Sequence, residues 1–312
     1  MTMYPWQKNA FDAFSNYLET GRIPDALLIW GPSGCGKLEL AKTMARRLMC
    51  QTMQGGQCDP CRSCALFESG AHPDFREITF EVNQKTGKLR DLIIVDQIRG
   101  LIEALVKTTT ISQTKVAIIH PAERMNPNAA NALLKTLEEP VGQTVQILVS
   151  HDPGRLPATV RSRCQRLHVD APKTDLAQQW LEQSVDVEGE AATLALKASS
   201  GRPLEAKALI EDGGLDQYRD TLQVLQDLRA GNISDSHALM KLAELDSVRL
   251  WNWLSLRCAD AMRTLSIKSG PESLVRGIAG LQHLADRNRR LMATPVRKDL
   301  LLRDWLIQWA SI

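Results

Sequence analysis

The chain has almost no net charge: 38 basic against 36 acidic side chains leave +2 over 312 residues. That excludes a global field able to recruit nucleic acid or an anionic membrane, so any such contact has to come from a local basic surface. No run approaches the roughly 18 apolar residues that a membrane helix needs. The opening MTMYPWQKNA has neither the charged start nor the apolar stretch of a secretory signal. A soluble cytoplasmic protein is the expectation. Seven cysteines form an odd set, and four of them crowd between residues 50 and 64. Such crowding fits metal binding in a reducing compartment better than a disulfide framework.

The most informative absence is one hydroxyl. Residues 31–40 read GPSGCGKLEL, one residue short of the phosphate-cradling pattern G-x-x-x-x-G-K followed by Ser or Thr. Leu38 stands where that hydroxyl belongs, and leucine cannot hold a magnesium ion. The loop follows an apolar strand, Ala26 to Trp30, and precedes a helical period at Ala41, Met44, Ala45 and Leu48. In that setting Gly31, Gly34 and Gly36 let backbone N–H groups converge on phosphate oxygens, and Lys37 reaches the terminal phosphates. The alternative is a tight strand-to-helix turn without a ligand. An active site of this type also needs an acid at the end of a later strand, with a neighbouring acid or amide for the attacking water. After the strand Lys115 to Ile119 the chain reads His120-Pro121-Ala122-Glu123. Both acids are missing where they are needed, and Glu123 is expected a turn away.

Further apolar runs at Phe75 to Phe80, Val116 to His120 and Val145 to Ser150, alternating with helical periods such as Ile98, Leu101, Ile102 and Leu105, predict buried parallel strands in a doubly wound α/β domain. This domain is expected over 1–167. Beyond it only helical periodicity remains, broken by turn signals at Gly201-Arg202-Pro203, Asp212-Gly213-Gly214, Gly231-Asn232 and Ser269-Gly270-Pro271. That predicts a small helical unit over 168–210 and a larger one over 211–312. The last helix carries Leu301, Leu302, Trp305, Leu306 and Trp309. Its indoles are expected in a core, which includes the case of a subunit interface, rather than in a ligand cage.

Cys50, Cys58, Cys61 and Cys64 are spaced C-x7-C-x2-C-x2-C. Two-residue gaps let neighbouring thiolates turn onto one ion, which suits a closed, structural tetrahedral zinc site, with Gly55, Gly56 and Pro60 fitting a knuckle. Free surface thiols and redox chemistry are the alternatives. Arg161-Ser162-Arg163-Cys164 follows the strand ending at Ser150. An arginine on such a tip can stabilise a transferring phosphoryl group in a neighbouring subunit, yet on physical chemistry alone a solvated basic turn is the preferred reading. Finally, Asn126 as cap, Pro127 at the first position and Pro140 as stop delimit a helix with a buried stripe at Leu133, Leu134 and Leu137.

Together these stretches resemble the clamp-loader subunits of the AAA+ class. The residues carrying the resemblance are Tyr4-Pro5-Trp6, the four-cysteine knuckle, Ala71-His72-Pro73-Asp74, NALLKTLEEP from Asn131 to Pro140, and LPATVRSRC from Leu156 to Cys164. They cover about the first 165 residues. The helical remainder matches mainly in architecture, with Gly201 to Ala206 resembling the start of the family's lid helix. The resemblance implies an AAA+ domain with an inserted zinc module at 50–64, a helical lid and a helical collar. It implies that Arg163, with Ser162, completes the ATP site of an adjacent gamma or tau subunit. A delta subunit is implied as another neighbour in a pentamer that loads the beta sliding clamp onto primed DNA within a polymerase holoenzyme. Active relatives have Ser or Thr at the place of Leu38, Asp-Glu at His120-Pro121, and an arginine where Leu204 stands. The implied role is thus a non-hydrolysing subunit whose loop at Gly31, Gly34, Gly36 and Lys37 is degenerate, with ATP or ADP binding open. The competing expectations are a self-sufficient ATPase of the gamma or tau type and a zinc-dependent nucleic-acid binder.

Overall fold

The computed structural model describes residues 3–54, 57–58, 61–267, 270–292 and 294–312. Gly55, Gly56, Pro60 and Ser269, which the sequence reading uses as turn signals, lie outside the described residues. Two compact units divide the chain, Met1–Leu176 and Ala177–Ile312.

In the first unit a 3-10 turn, Pro5–Gln7, leads into α1 (Lys8–Glu19), β1 (Ala26–Trp30) and α2 (Lys37–Met49). A small pair, β2 (Met53–Gln54) and β3 (Gln57–Cys58), precedes α3 (Arg62–Glu68), β4 (Phe75–Ile78) and α4 (Val95–Val106). Then come β5 (Lys115–Ile119), a 3-10 turn at Ala122–Arg124, α5 (Pro127–Glu138), β6 (Thr144–Ser150), the short α6 (Ala158–Arg161) and β7 (Gln165–His168). The sheet runs β4-β5-β6-β1-β7 and every pairing in it is parallel.

The three inner strands are mainly apolar because both of their faces are covered, with Lys115, Thr144, Gln146 and Ser150 the buried polar exceptions. All residues of β5 and β6 are buried, and four of five in β1. Ala26, Leu28, Ala117, Ile119 and Leu148 share a core with Ile98 and Leu101 of α4 and Leu133 of α5. The alternate residues point to the opposite face, where α2 packs on β1, β5 and β6. In α2 the buried stripe is Leu40, Ala41, Met44, Ala45 and Met49, with Leu48 half-buried where the sequence reading had it inward.

One strand boundary differs from the sequence reading, and β5 takes the longer start of the two runs read there. β4 stops at Ile78 instead of Phe80, because an edge strand exposes one side and its pattern is only partly buried. β5 begins at Lys115, whose buried ammonium donates to the carbonyls of Ala104 at 2.9 Å, Leu105 at 3.1 Å and Lys107. Those are the orphan carbonyls at the end of α4, so this lysine caps a helix from inside a strand. α5 begins as expected: Asn126 Oδ1 accepts the Ala129 N–H at 2.8 Å and Pro127 takes the first position.

The second unit is helical throughout its described residues: most of α7 (Thr174–Val185), then α8 (Gly189–Ala198), α9 (Pro203–Glu211), α10 (Gly214–Arg229), α11 (Asp235–Leu242), α12 (Ser247–Ile267), α13 (Glu272–Leu291) and α14 (Lys298–Ala310). Two apolar clusters fill it. One joins Leu181, Leu196, Ala206, Leu209, Tyr218 and Trp253. The other joins Leu225, Leu254, Ile278 and Leu281 with Leu302, Trp305, Leu306 and Trp309 of α14. The two indoles are core residues as read from the sequence, stacked at 5.4 Å. Each N–H is satisfied inside, Trp305 by Leu281 O and Trp309 by Leu225 O, both at 3.0 Å.

Candidate functional site

Gly31, Gly34 and Gly36 all take left-handed φ values, +151°, +72° and +71°. A Cβ on Gly31 would come within 2.1 Å of the Val169 carbonyl oxygen, and one on Gly36 within 2.4 Å of the Tyr4 ring. Side chains are thus disfavoured at all three by backbone conformation, and at Gly31 and Gly36 by close packing as well. At Gly36 the packing comes from Tyr4 and Gln7, in a segment the sequence analysis left without a role. Trp6 Nε1 donates to Cys35 O at 3.0 Å, and Gln7 Nε2 donates to Cys35 O at 2.9 Å and Gly36 O at 2.6 Å. Since the N–H and C=O of a trans peptide point opposite ways, holding these carbonyls turns the Gly36 and Lys37 N–H groups the other way, at the start of α2. Gln7 is fully buried, which no sequence signal announced, because glutamine is ordinarily an exposed residue.

Lys37 is itself buried, and its ammonium donates back to the Pro32 carbonyl of its own loop. Burial pushes its pKa down to about 8, although Cys35, Glu123 and Glu39 pull upward. The loop, His120 and His151 follow β1, β5 and β6, three adjacent parallel strands, so they share the carboxyl edge of the sheet, where ligands of open α/β sheets bind. The His120 and His151 rings meet edge-on, 5.7 Å apart. Burial lowers both imidazole pKa values. Glu123, expected a turn away, is turned back by the Ala122–Arg124 turn: its Oε1 accepts the His151 N–H at 3.2 Å. Its Oε2 is buried with no hydrogen-bond partner among the described residues.

This edge does not fit magnesium. Leu38 offers no oxygen, the residues after β5 are an imidazole and a proline, and Glu123 has one carboxylate oxygen taken by the His151 N–H, which leaves its Oε2 and Ser150 Oγ as isolated oxygens. Magnesium demands several hard oxygen ligands in near-octahedral array, and the hydroxyl after Lys37 and the acid directly after β5 that would begin such a set are replaced by Leu38 and His120. Leu204, the third departure, lies in α9 of the second unit.

The four cysteines do converge. The Sγ atoms of Cys50, Cys58, Cys61 and Cys64 all lie within 4.8 Å of one another. Sulfurs about 2.3 Å from a tetrahedral ion stand about 3.8 Å apart, so the cluster is the right size for one. Cys61 caps α3 and its Sγ accepts the Cys64 N–H at 3.4 Å. Burial would raise its pKa, but backbone donation from Cys64 and Gln51 wins and brings it to about 6. Cys50 and Cys64 are pushed up, chiefly by burial. Four sulfurs so close cannot all ionise without a cation among them. The Arg46 guanidinium, a hydrogen-bond partner of Cys64 paired to Glu68 at 3.2 Å, lies beside the cluster and offsets thiolate charge.

His72 and Asp74 are the scaffold of this module. His72 Nδ1 accepts the Asp74 N–H at 3.1 Å, which leaves Nε2 to donate to Ser63 Oγ at 2.9 Å, and Ser63 donates to Met49 O at 2.7 Å. The ring thereby ties α3 to the end of α2, next to Cys50. Asp74 accepts from the backbone N–H groups of Thr110, Ile111 and Ser112 at 2.8–2.9 Å.

Arg163 sits elsewhere, exposed on the turn after α6. Its Nε donates to Glu138 Oε1 at 2.6 Å and Nη1 to Thr159 O at 2.8 Å, with Ser162 Oγ at 3.5 Å. Within the first unit, then, the phosphate loop and the cysteine cluster each assemble as sites, while the arginine is presented outward.

Residues 6–173 match the family model described as DNA polymerase III, delta subunit. The chain is 32% identical to DNA polymerase III subunit delta' of Pseudomonas aeruginosa, over 99% of this chain and 98% of that protein. It is 36% identical to the delta' subunit of Escherichia coli K12, over 99% and 95%. DNA polymerase III subunit tau of Salmonella typhimurium is 30% identical over 77% of this chain and 35% of tau.

Proposed function

Because this chain belongs to the family of DNA polymerase III delta' subunits, we propose that it acts as a non-hydrolysing subunit of that polymerase's clamp loader. In this reading it stands beside gamma or tau and beside delta in a pentamer. It helps place the beta clamp on primed DNA and offers Arg163 to the ATP site of its gamma or tau neighbour.

The observation that carries the reading is the contrast at one sheet edge: a phosphate loop kept in shape by glycines and by Trp6 and Gln7, beside a metal corner made of Leu38 and two histidines. A site without metal ligands cannot polarise the phosphoryl group or activate water. The similarity to tau supports a shared assembly of related chains, in which an exposed arginine on one can serve the site of the next. A lid over 168–210 and a collar over 211–312 are part of the same proposal, as is a structural zinc ion held by Cys50, Cys58, Cys61 and Cys64.

Steady-state ATP hydrolysis by the isolated chain is the test. The expected result is none above background with magnesium present. Turnover that Lys37→Ala abolishes would overturn the reading in favour of a self-sufficient ATPase, which the intact loop otherwise recommends. Mixing the chain with gamma and delta should give one stable complex.

A further inference from the structure

The edge of the sheet that cannot hold magnesium is not inert. Three groups able to carry positive charge converge there: Lys37 from the loop, and His120 and His151 from the ends of β5 and β6, with their rings 5.7 Å apart. We propose that this cleft binds a di- or triphosphate anion without a metal ion, and that His120 and His151, taking up protons as the anion arrives, supply the positive charge that magnesium supplies in active loops. The inference rests on the non-hydrolysing reading, since a metal-free complex has nothing to drive turnover.

Three observations support it. The backbone N–H groups at the start of α2 are oriented by Trp6 and Gln7, and oriented amides at a helix N-terminus favour phosphate. Lys37, without an anion, is satisfied by a neutral carbonyl of Pro32, and a phosphate oxygen makes the stronger, charge-assisted bond. The third is the balance of charge. The groups facing the imidazoles are Lys37 and Glu39 from α2, Glu77 from β4, and Glu123 from the turn after β5, with Cys35 of the loop facing Lys37. Glu77 is paired with Lys42 at 3.0 Å. With neutral imidazoles the two lysines are outnumbered by three carboxylates, and the cleft repels an anion. With both imidazoles protonated the sign reverses.

Burial disfavours the charged form of both rings. A phosphate oxygen within hydrogen-bond reach favours the imidazolium, so binding and protonation are linked. An imidazolium has no lone pair to offer magnesium, so the two rings give the ion no foothold on the protein and the complex does not require it.

Calorimetric titration of the full chain with ADP, and separately with inorganic pyrophosphate, tests this. Each is run in EDTA and in excess magnesium, at pH 6 and pH 8, and in two buffers of different ionisation enthalpy. Binding is expected in EDTA, tighter at pH 6 than at pH 8 by about tenfold or more, with net proton uptake from the buffer comparison. His120→Gln and His151→Gln, with thermal unfolding used to confirm that each is folded, should each weaken the pH dependence, and Lys37→Ala should weaken binding at both pH values. Similar affinities for pyrophosphate and ADP assign recognition to the phosphates, and tighter ADP adds a contact to the nucleoside. Binding that requires magnesium, binding equal at both pH values, or no binding under any condition overturns the proposal. Absence of binding leaves the non-hydrolysing reading intact, whereas magnesium-dependent hydrolysis would remove both.

Discussion

Glu138, the last residue of α5, holds Arg163 on the turn after α6: its Oε1 accepts from Arg163 Nε at 2.6 Å. A carboxylate and a backbone carbonyl, that of Thr159, fix the direction of a guanidinium whose side chain is still 33% exposed. An isolated surface pair of this kind contributes little to stability. Its effect is on orientation, which is what a residue serving a neighbouring subunit requires.

In the reconstituted complex, Arg163→Ala should therefore reduce the clamp- and DNA-stimulated ATP turnover at the served site by about 10³ or more. Arg163→Lys should not restore it, because an ammonium lacks the fork of donors that matches phosphate oxygens. Glu138→Ala should give a smaller loss of the same kind with complex assembly unchanged. Unaltered turnover in the Arg163→Ala complex would sink the assignment.

The cysteine module makes a second prediction. Metal analysis should find about one zinc ion per chain, and Cys58→Ser or Cys64→Ser should lower that content. Since His72 and Ser63 tie α3 to the end of α2, metal loss should be felt at that seam. Limited proteolysis of chelated protein is expected to cut within 50–64 while the parallel sheet survives. A metal-free preparation that resists cleavage there would contradict a structural ion.

Much of this was legible in the sequence, for identifiable reasons. β1, β5 and β6 are covered on both faces, so they read as largely apolar runs, broken inside only by Gln146 of β6. The convergence of the cysteines was legible because two-residue gaps turn neighbouring thiols toward one point. β7 was not, because it lies on the sheet edge with only Leu167 buried among Gln165, Arg166 and His168. The roles of Gln7 and Glu123 were hidden for another reason. Each acts through a contact with a segment 28 or 29 residues away in the chain, and nothing local marks it. Arg163 lies between these cases: its exposure is visible in the sequence, while its hold on Glu138 is not.

Asp74 sets a pH dependence. Burial alone would raise its pKa, but N–H donation from Ile111, Ser112 and Thr110, and the Ser112 hydroxyl, holds the carboxyl below the usual carboxylate range. A depressed folded pKa contributes stability that is fully present above the unfolded value, about 3.9, and is lost as pH falls through the folded value. Asp74→Asn should cost about 1–3 kcal/mol near neutral pH. It should also flatten the acid limb of a denaturant-midpoint against pH curve. A variant with the parental acid limb would show that another carboxylate governs it.

The second unit is tested through Trp309. Its ring is 1% exposed, its N–H is spent on Leu225 O of α10, and Arg229 and Arg257 lie over it with their guanidinium carbons 5.7 and 5.8 Å from the ring centroid. Removing the ring leaves a cavity and deletes a buried hydrogen bond, so Trp309→Ala should lose about 3–5 kcal/mol. Trp309→Phe keeps most of the volume and the aromatic face while deleting the donor, and should lose about 1–2 kcal/mol. The ordering of the two variants is the informative part. If the indole served mainly as a subunit contact, both substitutions would weaken assembly and leave the unfolding of the isolated chain unchanged. Its burial within one cluster with Leu225, Leu254 and Trp305 predicts the reverse: a drop in the isolated chain's own unfolding midpoint, with any loss of assembly following from it.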